Sequence, residues 1–182
     1  MKLLLSGQKC YIRVMAPEDA EEMVELLLRN RDYWSIYEPR HQDSYFTVAV
    51  QRQKIREAQY QMRENREYSF GIYEHGTDRL IGHISLYSIK RLPFLNALAG
   101  YSVDERVAGK GIATEALQLL LDFGFEQLNL HRIEAYVSPD NLGSIRVLEK
   151  TGMQREGLLR EFLFINGKWR DHYHYAMLER DF

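Results

Sequence analysis

Val103-Asp104-Glu105-Arg106-Val107-Ala108-Gly109-Lys110-Gly111-Ile112-Ala113-Thr114-Glu115-Ala116 is the stretch from which the fold follows. To its left, Ala97 to Val103 is an apolar run of strand composition; to its right, an alanine- and leucine-rich run has helical spacing. The join holds Gly109 and Gly111 with Lys110 between them. The first turn of a helix leaves its N–H groups unpaired, and the macrodipole places partial positive charge there. A strand, a glycine turn and a helix therefore make an anion site out of main chain, with phosphate its usual occupant. Glycine lets a ligand approach with no Cβ in the way. Two well-known phosphate motifs fail here. The Walker pattern needs Ser or Thr after its lysine, but Lys110 is followed by Gly111, and no glycine stands five residues before Gly109. The dinucleotide fingerprint breaks at its third glycine, where Thr114 stands. What remains is Arg106-x-x-Gly109-x-Gly111-Ile112-Ala113, either a phosphate cradle of another kind or a plain glycine turn.

Working outward, the bounds are ordinary. The chain has 182 residues, 45% of them hydrophobic and 27% charged, which suits one globular domain with a sizeable core. A net charge of −2 gives no basic footprint for direct nucleic-acid binding. The apolar run Leu3 to Leu5 is too short for a signal or a membrane span. The single cysteine, Cys10, leaves no internal disulfide and reads as a small core residue in a reducing compartment, so cytoplasm is expected.

Cys10 to Val14 has strand composition, and Pro17-Glu18-Asp19 opens an amphipathic helix with Ala20, Met23, Val24, Leu27 and Leu28 on one face. Arg31 to Arg40 is dense in aromatic and polar groups and does not read as core helix. A polar helix over about 48–64 carries only a thin stripe, Val48, Ile55, Ala58 and Met62, and should flank a cleft. Ser69 to Glu74, Leu80 to Ile89 and Asn96 to Val103 read as three strands, the first two joined through His75-Gly76-Thr77-Asp78. After the glycine loop come a deeply packed helix (Ala113, Ala116, Leu117, Leu120, Leu121, Gly124, Leu128) and a strand over Arg132 to Val137. That order favours parallel pairing through a right-handed crossover. Pro139-Asp140-Asn141 opens a further helix that buries Ile145 and Leu148 and stops at Gly152. Two strands, about 153–164 and 169–177, close the chain around Asn166-Gly167, a strong hairpin signal.

The order β-α-α-β-β-β-α-β-α-β-β and the loop resemble the GNAT acetyltransferases, whose pyrophosphate loop reads Gln/Arg-x-x-Gly-x-Gly/Ala. Further matches are Leu130-His131-Arg132-Ile133-Glu134-Ala135, Asn141-x-x-Ser144, Val147-Leu148-Glu149-Lys150-x-Gly152-Met153 and Glu156-Gly157. They are similar to the Rim branch, which acetylates the N-terminal α-amine of ribosomal proteins. Trp169-Arg170-Asp171-His172 and Tyr37-Glu38-Pro39-Arg40 are closest to its alanine-specific member. The resemblance implies one domain over 1–182 and a mixed α/β sheet of seven strands. The sheet should splay between its fourth and fifth strands and carry about four helices. The co-substrate would be acetyl-coenzyme A, with no metal and no membrane; a homodimer stays open.

By the same resemblance, the main chain of Ser102 and Val103 would pair with the pantetheine amides as an added strand, and the Val103 N–H would polarise the thioester carbonyl. Arg106, Ala108, Gly109, Lys110, Gly111, Ile112 and Ala113 would hold the diphosphate, with Asn141 and Ser144 facing the cofactor and Ser144 protonating the leaving thiolate. Ala108 stands where the branch often has a large polar residue, which removes one side-chain contact and leaves the main-chain donors. The branch places a glutamate near the position of Leu163. Glu161, two residues earlier and so on the same strand face, is the first candidate base, and His83 the second. Trp34, Tyr37 and Glu38 suit an ammonium group, with His83 beside them, so Glu38→Ala should raise KM more than it lowers kcat. His172 and His174 share a strand face, but no third metal ligand stands at a diagnostic spacing.

An α-amine, with a pKa of about 8, needs only a modest base, whereas a lysine near about 10.4 asks more. The leading expectation is transfer to a protein N-terminus, which needs an open groove. The alternatives are a small amine (polyamine, amino sugar or antibiotic) in a closed pocket, and a non-catalytic acyl-coenzyme A-binding domain.

Overall fold

The computed structural model describes residues 3–182. Its strands are β1 (Leu4–Ser6), β2 (Cys10–Arg13), β3 (Tyr68–Glu74), β4 (Leu80–Lys90), β5 (Asn96–Val103), β6 (Arg132–Val137), β7 (Gln154–Ile165) and β8 (Lys168–Leu178). They form one sheet in the order β1-β2-β3-β4-β5-β6-β8-β7. All neighbours run antiparallel except β5 and β6, the parallel pair that the strand–helix–strand order implies. The expected seven strands become eight. Leu4–Ser6, paired with Tyr11 to Arg13, is three residues long, too short for a period of two to declare itself.

The helices are α1 (Ala20–Arg29), α2 (Arg31–Trp34), α3 (Val48–Arg63), α4 (Ile112–Asp122) and α5 (Leu142–Lys150), five where about four were expected. The extra one is the single turn α2, inside the stretch that does not read as core helix; it buries Trp34. α1 turns Ala20, Met23, Leu26 and Leu27 inward, while Leu28, expected inside, is half-exposed. α3 buries only Gln51, Ile55 and Met62, as its thin stripe implies. α1 and α3 pack together over β4 and β3.

α4 lies on the main core with Ile112, Ala116, Leu117, Leu120 and Leu121 buried. It runs on into one π turn, Phe123–Gln127, where a Cβ on Gly124 would stand 2.5 Å from Ile133 Cδ1 and would have to push the end of that side chain aside. α5 packs beside α4 and ends in a Schellman arrangement: Met153 N–H donates to Leu148 C=O and Gly152 N–H to Glu149 C=O, with Gly152 at φ +88. At the β7–β8 turn both Asn166 (φ 51) and Gly167 (φ 85) are left-handed, as a two-residue hairpin loop demands.

One feature places the site. β5 and β6 are paired only at Asn96–Arg132, Ala97–Ile133 and Leu98–Glu134. Beyond Leu98 the two strands part, leaving a wedge-shaped gap between the fourth and fifth strands of the expected seven.

Candidate active site

The gap exposes main chain in a defined pattern. Asp104 N–H donates to Ile81 C=O at 2.7 Å, which makes Ile81–Asp104 a bonded pair of the β4–β5 ladder. Antiparallel bonding alternates, so His83–Ser102 is bonded as well, whereas Gly82–Val103 and Ile84–Tyr101 are not. The peptide groups of Tyr101 and Val103 therefore face the gap. Those of Ser102 face β4, which corrects the expectation that Ser102 would offer its main chain there. Among the described residues, the Val103 N–H has no protein acceptor, and the Val103 C=O is already taken by the Trp34 indole N–H at 2.9 Å.

At the top of β5 the chain makes one 3-10 turn, Glu105–Val107, and enters the glycine loop. The Ala108 N–H is spent within this turn on Glu105 C=O, and the Lys110 N–H on Val107 C=O at 3.4 Å. These two amides leave the expected anion-binding set, because a 3-10 turn bonds each to the carbonyl three residues back. The N–H groups of Gly109, Gly111, Ile112 and Ala113 find no protein acceptor among the described residues. Gly111 is the N-cap of α4 at φ +82, a conformation that suits glycine, and around Gly109 (φ +75) a Cβ would meet nothing within 4 Å. Four free donors at the positive end of a helix, opened by two left-handed glycines, fit a diphosphate.

The loop is braced from the far side. Glu115, in the first turn of α4, accepts the N–H groups of Gln8, Lys9 and Cys10 at 2.7–2.9 Å, and Lys9 Nζ donates to Lys110 C=O at 3.0 Å. Burial pushes the Glu115 carboxyl upward, but the three N–H bonds outweigh it and hold it below its ordinary value. Cys10 beside it is fully buried, and burial pushes its thiol up to about 12, so it serves packing.

Around the gap, side chains from four distant parts of the chain converge. The cavity of about 160 Å³ beside the loop is lined by Trp34, Tyr37, Glu38, Tyr101, Ser102, Val103, Gly109, Asn141 and Ser144, among others. A second cavity, of about 320 Å³, shares Tyr37, Glu38, Tyr101, Ser102, Asn141 and Ser144 with it. From there it continues across His83, Tyr87, Tyr136 and His172. Glu38 and Ser102 stand where the two meet, bonded to each other through the Ser102 hydroxyl. Burial raises the Glu38 carboxyl above its usual range, against the opposing pull of that hydrogen bond. His83 lies opposite Ser102, its ring edge-on to Trp34 at 5.4 Å. Burial and the nearby Lys54 ammonium push its imidazole down to about 4, so it is neutral at pH 7.

Asn141 caps α5, its Oδ1 accepting the Ser144 N–H at 3.1 Å. The Ser144 hydroxyl lies 2.7 Å from the Tyr101 phenol. Burial pushes that phenol up to about 12, the Ser144 bond opposing, so Tyr101 keeps its proton at neutral pH. Nothing in the sequence singles out Tyr101: it looks like any strand aromatic, and its partner is 43 positions away. The segment after α2 roofs the gap. Tyr37 OH reaches Asp140 C=O at 3.0 Å, and Asn166 on the β7–β8 turn donates to Ser35 C=O at 2.8 Å while accepting the Arg40 N–H at 3.0 Å.

Glu161 lies elsewhere, which corrects its choice as first candidate base. It is exposed on the edge strand β7, in a left-handed conformation (φ 49), inside a bulge between Leu159 and Leu163. The bulge breaks the two-residue alternation on which the expectation rested. The cavity it lines contains Arg160, Phe162 and Asp171 and none of the gap residues. Arg106 is exposed at the loop and donates its N–H to Asp104 at 3.1 Å. Among the described residues no group of three or more His, Cys, Asp or Glu side chains is placed to hold a metal, and no helix is long and apolar enough to cross a membrane.

A sheet split beside a strand with free peptide groups, a helix N-terminus with free amides above the split, and a carboxylate at the crossing make the arrangement that the resemblance to acyltransferases leads one to expect. Comparison with known proteins makes this specific. Residues 9–154 match the acetyltransferase (GNAT) domain model, and the chain belongs to the GNAT acetyltransferases. It is 45% identical over 178 residues to the Probable N-acetyltransferase YjcK of Bacillus subtilis, covering 98% of each chain. Its fold matches the ribosomal-protein-S5-alanine acetyltransferase of Vibrio fischeri with a TM-score of 0.93 at 30% identity, covering 98% of both chains. Mycobacterium smegmatis RimJ, solved in complex with CoA-disulfide, matches with a TM-score of 0.93 at 27% identity, covering 98% of this chain and 88% of that one.

Proposed function

We propose that this N-acetyltransferase transfers the acetyl group of acetyl-coenzyme A to the N-terminal α-amine of a protein by direct attack in a ternary complex. The observation that carries the reading is the meeting of the two cavities at Glu38, Ser102, Tyr101 and Ser144, beside the free Val103 N–H. One cavity runs to Gly109 and Ala113 of the glycine loop, whose free amides, with those of Gly111 and Ile112, would hold the diphosphate; acetyl-coenzyme A supplies the activated acetyl thioester. The other crosses the Tyr136 and His172 face of the sheet, where the chain end would lie. That the neighbour from Vibrio fischeri is a ribosomal-protein-S5-alanine acetyltransferase supports the same choice.

The chain's own groups then divide the work. Glu38, among Trp34 and Tyr37, receives the ammonium group and takes its proton; a carboxyl raised by burial is a better base than a free one. The amine nitrogen bonds to the carbonyl carbon as the carbon–sulfur bond breaks. The Val103 N–H faces the gap where the carbonyl oxygen gains charge. The Ser144 hydroxyl, backed by the Tyr101 phenol, gives a proton to the departing sulfur and regains one from the second proton that the nitrogen sheds as the amide forms, so that Glu38 holds the one net proton released. Neutral His83 adds a hydrogen-bonding wall with no competing positive charge.

The test is mass spectrometry of N-terminal peptides incubated with labelled acetyl-coenzyme A. The panel starts with Ala, Ser, Thr and Met, with free polyamines in competition. Label on peptide α-amines, Ala-starting ones first, is expected. Label on polyamines alone would replace the acceptor, and coenzyme A binding with no labelled product would argue for a non-catalytic acyl-coenzyme A-binding domain.

A further inference from the structure

Four consecutive residues at the top of β5 are each bonded to a different residue of the segment 29–38. The Ser102 hydroxyl bonds to Glu38, and Val103 C=O accepts the Trp34 indole N–H at 2.9 Å. Asp104 Oδ2 accepts both Nε and Nη2 of Arg29 at 2.8 and 2.7 Å, and Glu105 N–H donates to Asn30 Oδ1 at 2.9 Å. Asn30 is itself fully buried, with its Nδ2 on Leu26 C=O and its own C=O accepting the Trp34 N–H at 2.8 Å. One side of this seam carries the candidate cofactor contacts, Val103 and the loop; the other carries the candidate acceptor contacts, Tyr37 and Glu38.

Asp104 is the hinge pin of the seam. It is 1% exposed, and its two oxygens serve opposite sides: Oδ2 goes to Arg29 at the end of α1, and Oδ1 caps the Arg106 N–H at the start of the loop at 3.1 Å. A buried carboxylate is costly unless every lone pair is used, and here it is used to join two segments 75 positions apart.

Resting on the transferase reading above, we propose that Asp104 and Arg29 are positioning residues that couple the two binding sites: the pair fixes Glu38 and Tyr37 relative to Val103, so that filling the cofactor site strengthens acceptor binding and the reverse. Neither residue touches the reacting atoms. The coupling follows from shared rigidity: a seam held at four successive residues moves as one body, and whatever orders one wall orders the other. Linkage makes the effect reciprocal, with factors of about 5 to 150 usual for such coupling.

The experiment compares the native enzyme with Asp104→Asn and Arg29→Gln. Asparagine keeps an oxygen for the Arg106 N–H and loses the charge that holds Arg29. Arg29→Gln leaves Asp104 and the loop cap in place and alters a partly exposed side chain, so it tests the coupling even if Asp104→Asn unfolds. Coenzyme A binding is titrated by calorimetry with and without saturating acetylated N-terminal peptide, and KM and kcat are measured for the unacetylated peptide. In the native enzyme the peptide is expected to tighten coenzyme A at least about fivefold. In both variants that factor should fall towards one and the peptide KM should rise about tenfold, while the Kd for coenzyme A alone stays within about twofold. A native enzyme that binds coenzyme A and acetylates peptide without mutual tightening overturns the coupling and leaves the transferase reading intact. So do variants that keep the native factor and lose only melting temperature. No coenzyme A binding by the native protein overturns both.

Discussion

The two walls of the gap, proposed to receive the cofactor and the acceptor, are made of different material. The cofactor wall is main chain: the Val103 N–H and the free amides of Gly109, Gly111, Ile112 and Ala113, aimed by a strand end and a helix start. The acceptor wall is side chain: Glu38 and Tyr37 from the segment after α2, His83 from β4, Tyr136 from β6 and His172 from β8. Main-chain donors are indifferent to most substitutions and answer to backbone geometry alone. Side-chain groups answer to their identity and to whatever holds them. One wall should thus be fragile at its glycines, the other at its carboxylate.

The largest effect should come from Gly111→Val. The φ of +82 disfavours a β-branched residue, and the added Cβ would lie 2.7 Å from Lys9 Nζ, so coenzyme A affinity should fall about a hundredfold or more by calorimetry. Unchanged affinity would mean that the loop is not the diphosphate site. With Glu38 proposed as the base and not only as the holder of the ammonium group, the expectation of a mainly KM effect gives way: Glu38→Gln keeps the shape of the side chain and cannot take a proton, so kcat should fall about a hundredfold with coenzyme A affinity unchanged. The same variant carries a pH signature. Because burial raises the Glu38 carboxyl, its basic form is lost as pH falls through that raised value. The acid-side decline of kcat/KM should therefore lie above the range of an ordinary glutamate and vanish in Glu38→Gln. A decline left in place would assign it to another group. Ser144→Ala and Tyr101→Phe should each slow turnover about tenfold, and the double variant should be little worse than either single one, since the hydroxyls act as a pair; fully multiplicative losses would separate them. Smallest of all, Glu161→Ala should leave kcat and KM within about twofold, and a large loss would return the base to β7.

What the sequence discloses follows the same division. Gly109 and Gly111 are legible because left-handed backbone has few residues that accept it, and the element order is legible because each element declares its period locally. Asn141 reads as a cap for the same local reason. The acceptor wall depends on pairings across long stretches of chain: Tyr101 with Ser144, Ser102 with Glu38, Asp104 with Arg29. None leaves a trace in spacing. Glu161 was misplaced because alternation presumes a regular ladder, and β7 shifts register twice against β8. β1 was missed for brevity, and α2 because one helical turn cannot show a helical period.

The position of β8 has a consequence for how the molecule comes into being. β8, which follows β7 in the chain, does not join the edge; it slots between β6 and β7, and the turn preceding it latches the roof segment through Asn166. A chain emerging from synthesis can assemble the glycine loop and the strands before it, yet the proposed acceptor wall is unfinished until β8 is free to insert. The glycine-loop side of the gap can thus take shape before the side that β8 completes.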